Sequence, residues 1–185
     1  MRLFIAFDID ESIRDNLQPV LNFFGGCGSC LKTVAAENCH ITARFLGECG
    51  AEHGDEVRHG FSALKPEMGP IEYSAVGLGG FPNIARAGVL WCGIRSDIKK
   101  LRTIHGVIEN FSRSCGFPAE HRPFTPHVTL ARIRRGKKMT TRLIDYCNES
   151  IDRNYGKSAF NEIALYSSML TPQGSIYTCL CSVTL

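Results

Sequence analysis

The segment Asn38-Cys39-His40-Ile41-Thr42-Ala43-Arg44-Phe45-Leu46-Gly47 has a counterpart later in the chain, Arg122-Pro123-Phe124-Thr125-Pro126-His127-Val128-Thr129-Leu130-Ala131-Arg132. Each sets His-x-Thr into an otherwise apolar strand. The two histidines are 87 residues apart, and at that same spacing Leu3 falls on Leu90, Asp10 on Asp97, Leu17 on Ile104, Val20 on Val107 and Phe24 on Phe111. A self-match that holds through strands and helices alike marks an internal repeat. Each half reads as an apolar strand, an acidic helix start, an amphipathic helix and a second strand bearing His-x-Thr. The repeat predicts an α+β fold, with residues 1–185 forming a single domain of two similar lobes of antiparallel sheet plus helices. A pseudo-twofold axis relates the lobes, and the site groove lies between them.

Outside these segments, patterning predicts helices over roughly 52–64 and 140–152, and strands over 71–77, 160–165 and 176–183. The glycine-rich stretches Gly25-Gly26-Cys27-Gly28 and Gly77-Leu78-Gly79-Gly80 read as turns, as do Gly79-Gly80-Phe81-Pro82 and Thr171-Pro172-Gln173-Gly174. Neither Gly-x-Gly-x-x-Gly nor a P-loop is present, so the usual glycine-rich phosphate cradles are excluded.

With 44% hydrophobic and 21% charged residues in a chain of 185, the composition is that of a globular protein and excludes a disordered or fibrous one. The first apolar run, Leu3-Phe4-Ile5-Ala6-Phe7, is shorter than the ~7–15 residues of a signal-peptide core, and a cytoplasmic location is expected. Nine cysteines make an odd number, and Cys92, Cys179 and Cys181 lie in or near apolar runs, so reduced thiols packed in the core are expected. The net charge of +3 does not by itself identify a nucleic-acid binder. Arg132, Arg134, Arg135, Lys137 and Lys138 nevertheless follow the second His-x-Thr closely, as either a solvated lead-in to a helix or an edge facing phosphate.

In a strand, alternate side chains share a face. His40, Thr42 and Arg44 are therefore expected on one face, with Ile41, Ala43 and Phe45 against a core; His127 and Thr129 lie opposite Val128 and Leu130 in the same way. A pseudo-twofold axis would bring two imidazoles, two hydroxyls and guanidinium groups together across a groove. Displacement at phosphorus needs a base for the nucleophile on one side and an acid for the leaving oxygen on the other. Histidine serves either role near neutral pH. Threonine hydroxyls and arginine suit the non-bridging oxygens, and the set requires neither metal nor cofactor.

These segments, together with Arg2-Leu3-Phe4-Ile5-Ala6-Phe7-Asp8 and Leu165-Tyr166-Ser167-Ser168-Met169-Leu170, resemble the RNA 2′,3′-cyclic phosphodiesterases, also called 2′-5′ RNA ligase-like proteins, of the two-histidine (2H) phosphoesterase superfamily. The resemblance implies hydrolysis of an RNA 2′,3′-cyclic phosphate end to a 2′-phosphomonoester. It implies His40 as proton donor beside the ribose 3′ oxygen and His127 as proton acceptor activating water, although the motif symmetry leaves the reverse open. Thr42, Thr129 and Arg132 are implied to bind the phosphate. Arg132 has the wrong strand parity for that face, so a bulge or the strand end must turn it. The implied partners are RNA with cyclic phosphate ends, including tRNA fragments or nucleotides, with a monomeric chain and no membrane association. Ligation through 2′,5′ linkages needs the same groove, whereas a pure RNA-binding module would not need paired histidines.

Other candidates are weaker. Cys27-x-x-Cys30 is one copy of a metal or redox spacing without a second pair. His53 and His59 read as surface residues; His105, in the second repeat's helix, and His121, before the motif, are given loop or rim roles; Trp91 and Phe111 read as core, and Phe124 as packing.

Overall fold

Asp10 and Asp97, which the repeat superimposes, both cap helices: Asp10 accepts from the Ser12 N–H at 3.0 Å, and Asp97 from those of Lys99 and Lys100 at 2.9 and 3.2 Å. Such caps satisfy backbone donors that a helix start leaves open. In a computed structural model describing residues 1–172 and 174–185, the chain runs β1 (Arg2–Asp8), α1 (Glu11–Gly25), β2 (Leu31–Thr33), β3 (His40–Glu48), α2 (Ala51–Ser62), β4 (Ile71–Phe81) and β5 (Val89–Ser96). It continues through α3 (Ile98–Ser114), β6 (His127–Ile133), α4 (Thr141–Glu149), β7 (Asn154–Phe160), β8 (Glu162–Leu170) and β9 (Ser175–Thr184).

The described strands form two antiparallel sheets, ordered β3-β1-β8-β9 and β2-β6-β5-β4-β7. The repeat is visible in both, since β3 beside β1 in one corresponds to β6 beside β5 in the other. The two sheets form the two expected lobes, and the sequence halves exchange elements between them. Helix α1 follows β1 of the first sheet but packs on β7, β2 and β6 of the second, while α3 follows β5 of the second and packs on β3 of the first. The apolar stripes explain the exchange: Ile13, Leu17, Val20 and Phe24 of α1 are buried, as are Leu101, Ile104 and Ile108 of α3. Each fully buried side chain of this size contributes about 1.5–3 kcal/mol. Strands β3 and β6, packed against each other, carry the two His-x-Thr segments across this shared core.

Several expected boundaries move. The strand beginning at Ile71 continues through Gly77-Leu78-Gly79-Gly80 to Phe81, where a turn was expected. The glycines there make space: a Cβ on Gly79 would run into the Trp91 indole, and one on Gly80 would lie 2.7 Å from the Ala87 side chain. Gly77 takes a φ of +78° where the β4–β5 register shifts, a conformation that suits glycine in a bulge. The strand expected over 160–165 is two strands, β7 and β8, divided at Asn161. The expected turn Thr171-Pro172-Gln173-Gly174 includes Gln173, which lies outside the described residues; the Thr171 N–H donates to Gly174 O at 2.8 Å. No described helix is long and apolar enough to cross a membrane.

Candidate active site

The pairing of β6 with β5 steps from Leu90↔Ala131 to Trp91↔Thr129, leaving Leu130 as an extra residue. Leu130 and Ala131 are consecutively buried, and alternation resumes with Arg132 exposed. That bulge returns Arg132 to the face of His127 and Thr129, as its parity required. The same device occurs in β3, where the pairing with β1 steps from Ile5↔Arg44 to Ala6↔Thr42. Here its effect is the reverse of the alternation expected from sequence. Arg44, expected beside His40 and Thr42, turns inward to 7% exposure, while Phe45, expected in the core, is 49% exposed.

Inside, the Arg44 Nε lies 3.0 Å from Glu109 Oε2 on α3, and Nη1 lies 3.6 Å from Glu120 Oε2 in the segment leading to β6. Its Nη2 also donates to the Pro118 carbonyl. Arg122, hydrogen-bonded to Glu120 through side chain and backbone, holds that carboxyl down at about 2, so it stays ionised toward Arg44. Arg44 thus links the strand carrying His40 to the segment that delivers His127.

The two histidines are held alike. Nδ1 of His40 donates to the Asn38 carbonyl at 2.8 Å, and Nδ1 of His127 to the Thr125 carbonyl at 2.6 Å. A carbonyl only accepts, so Nδ1 carries a hydrogen in each ring and Nε2 is the nitrogen free to exchange a proton. In His40 it meets Thr42 Oγ1 at 2.9 Å. Burial lowers both imidazole pKa values, and the positive charge of Arg132 lowers them further. At His40 the Asn38 carbonyl and the charge of Asp8 oppose that shift, while charge on His127 adds to it. Asp8 is the strand partner of His40 and accepts from the Tyr166 hydroxyl at 2.6 Å. The neighbour that distinguishes the rings is therefore a carboxylate at His40.

Each ring also has an aromatic neighbour on the adjoining strand. Phe4 of β1 lies 5.0 Å from His40 between ring centres, and Trp91 of β5 lies 6.2 Å from His127. These residues are equivalent in the repeat, so Trp91, expected as core, is a half-buried companion of His127 with Phe81 at 4.9 Å from the imidazole. Beyond His40 opens a groove of about 920 Å³ whose walls include Phe4, Phe45 and Tyr177 with Arg2, Lys32 and Arg132. Beside His127 a smaller one of about 530 Å³ runs over Trp91, Gly79 and Pro126.

His40, Thr42, His127, Thr129 and Arg132 thus lie on the facing strands, as expected. Asp8, Phe4 and Phe45 were missed, although the 87-residue spacing pairs Phe4 with Trp91 and Phe45 with Arg132. The basic run divides: Arg132 lines the groove, the Arg134 Nε donates to the Leu31 carbonyl at 3.3 Å, and Arg135, Lys137 and Lys138 are exposed on the way to α4. Cys27 and Cys30 are half-buried free thiols bonded to the carbonyls of Phe23 and Cys27. Cys92 is buried, but Cys179 is exposed rather than in the core. His53, expected on the surface, is half-buried, stacked on Phe117 and bonded to the Cys115 carbonyl at 2.9 Å, whereas His59 is exposed. Phe111 is buried in the core, Phe124 packs against it and stacks on His105, and His121 is exposed.

Comparison with known proteins agrees with this repeat. The family model described as LigT like Phosphoesterase matches twice in tandem, over residues 7–91 and 93–177. An RNA 2′,3′-cyclic phosphodiesterase from Archaeoglobus fulgidus is 34% identical over 178 residues, 96% of each chain. One from Aeropyrum pernix is 38% identical over 156 residues, 84% of this chain and 87% of that one. The fold matches the crystal structure of E. coli LigT complexed with 3′-AMP at a TM-score of 0.74, with 24% identity, covering 100% of this chain and 97% of that one. Two tandem matches of one family model, each ending or beginning at the repeat boundary and together covering most of the chain, place it among the LigT-like phosphoesterases, a family to which it belongs.

Proposed function

We propose that residues 1–185 act as one catalytic unit that hydrolyses RNA 2′,3′-cyclic phosphate ends to 2′-phosphomonoesters. The observation that carries this reading is the matched pair of imidazoles, each with Nδ1 tied to a carbonyl and Nε2 left for proton exchange. His127 Nε2 takes a proton from water as the water oxygen attacks phosphorus. The P–O3′ bond breaks, and His40 Nε2–H protonates the departing 3′ oxygen. The products are a 3′-hydroxyl and a 2′-phosphate, and exchange with solvent restores both rings.

Asp8 supports that direction, because a carboxylate beside His40 favours its protonated form and none acts on His127 in the same way. Before substrate binds, a protonated His40 donates from Nε2 to Thr42 Oγ1; with substrate in place that hydrogen passes to the 3′ oxygen, and the threonine hydroxyl turns to a phosphate oxygen. Arg132 and Thr129 sit on the β6 face to stabilise the charge that grows on the non-bridging oxygens. The partners are RNA ends of this kind, tRNA fragments and nucleotides included. The test is incubation of the protein, in chelator, with a short RNA ending in 2′,3′-cyclic phosphate. A 2′-phosphate product that disappears in both His40→Ala and His127→Ala is expected; a 3′-phosphate product, or turnover that survives either substitution, would contradict the reading.

A further inference from the structure

The two grooves flanking the histidines differ in a way that assigns the path of the RNA chain. In an in-line displacement the leaving 3′ oxygen belongs to the ribose, so the ribose and everything 5′ of it lie on the acid's side of the phosphorus, opposite the incoming water. With His40 as the acid, that side is the larger groove of about 920 Å³, at the upper end of the roughly 300–1,000 Å³ that encloses a drug-sized ligand.

Its lining suits single-stranded nucleic acid. Phe45, pushed out of the core by the β3 bulge, presents an exposed ring, and the β8–β9 hairpin adds the exposed Leu170 and Ile176. Arg2, Lys32 and Arg132 are all exposed and face one carboxylate, Glu37. None of the three arginine and lysine groups forms a salt bridge among the described residues, where ion pairs involve Arg44, Arg58, Arg95 and Arg122. Unpaired cations beside an exposed ring are what a strand of bases and phosphates requires: stacking that tolerates any base and charge that follows the backbone. The groove by His127 offers instead the half-buried Trp91, a glycine-lined floor and a single cation, Arg95, already 3.4 Å from Asp152.

Building on the proposed hydrolysis, we infer that the groove beyond His40 holds the nucleotides upstream of the terminal one that carries the cyclic phosphate, with Phe45 stacking on an upstream base and Lys32 contacting a backbone phosphate. An RNA chain is then a better substrate than a mononucleotide. Water reaches phosphorus from the Trp91 side.

The test uses the full chain with two substrates, 2′,3′-cyclic AMP and a hexaribonucleotide ending in the same cyclic adenosine. The expected kcat/KM is about tenfold higher for the hexamer, the size of one base stack. Phe45→Ala and Lys32→Gln each remove most of that preference through KM and leave cyclic AMP turnover within about twofold. Equal kcat/KM for both substrates, or variants that slow both alike, would overturn the groove assignment while leaving the hydrolysis intact. Binding of a labelled hexamer to the His127→Ala protein, read by anisotropy, examines the groove without turnover. Phe45→Ala and Lys32→Gln should weaken it several-fold, Lys32→Gln should flatten its salt dependence by about one phosphate contact, and Arg95→Gln should leave it unchanged. Binding lost with Arg95→Gln, or indifferent to Phe45 and Lys32, would refute the path; binding that depends on them without any hydrolysis would uphold the groove and refute the proposed reaction.

Discussion

Strands β3 and β6 carry the same His-x-Thr spacing, the same carbonyl tether on Nδ1 and a bulge at the same place, yet they deliver different chemistry one step later. On β6 the bulge brings out Arg132; on β3 it brings out Phe45 and sends Arg44 into the protein. A repeated backbone thus builds a site with one cationic and one aromatic wall. Strand parity fails beyond an extra residue, and on both strands the exposed side chain, Arg132 or Phe45, follows one.

The largest expected effect falls on what the strands share. His40→Ala and His127→Ala should each reduce kcat by about 10²–10⁴-fold, with circular dichroism and thermal unfolding close to wild type because both rings are only half-buried and lie outside the apolar core. A mild loss in either one would mean that the matched tethers are structural only. Next is the residue they do not share: Arg132→Ala should lower kcat/KM by about 10²-fold without altering the shape of the pH profile. Steady-state kinetics on cyclic AMP checks this, and an unaltered rate would show that the bulge does not aim Arg132 at phosphate.

Arg44 sharpens the comparison from inside. Arg44→Met leaves the Glu109 and Glu120 carboxylates facing one another without their buried cation, and urea denaturation should show a loss of about 2–3 kcal/mol, discounted for the partial exposure of both partners. Arg44→Lys should recover part of it. A variant of full stability but raised KM would instead restore Arg44 to the phosphate face. A smaller effect separates the two imidazoles. Burial lowers both, so the acid limb of kcat/KM, set by His127 losing its proton, should lie below the ordinary imidazole value near 6.5. Asp8→Asn removes the charge that favours protonated His40, so its pKa falls further and the alkaline limb moves to lower pH while the acid limb stays. An unmoved alkaline limb in a pH-rate series would detach Asp8 from the acid.

The repeat made much of this readable beforehand. Apolar matches at a fixed spacing located β1 with β5, α1 with α3 and β3 with β6, because each pair solves the same burial problem. What escaped was set by contacts between halves. Glycines that read as a turn in 77–80 are strand residues cleared for Trp91, and nothing local to that stretch announces an indole from β5. The exchange of α1 and α3 between sheets was invisible for the same reason, since an apolar stripe does not say which sheet it covers. Arg132 was recoverable because its parity conflict was explicit; Arg44 and Phe45 fitted simple alternation and so gave no warning.

In the proposed direction, His40 protonates the 3′ oxygen on the RNA side and His127 activates water on the other. Replacing that 3′ oxygen by sulfur supplies a leaving group that departs with little need of a proton, so loss of the acid should matter far less while loss of the base should matter as before. The measurement is hydrolysis of a cyclic phosphate with sulfur at the 3′ position by His40→Ala and His127→Ala, each compared with its oxygen substrate. The expected result is strong rescue of His40→Ala and little of His127→Ala; equal rescue, or rescue of His127→Ala alone, would contradict the assignment and with it the route of the RNA past Phe45.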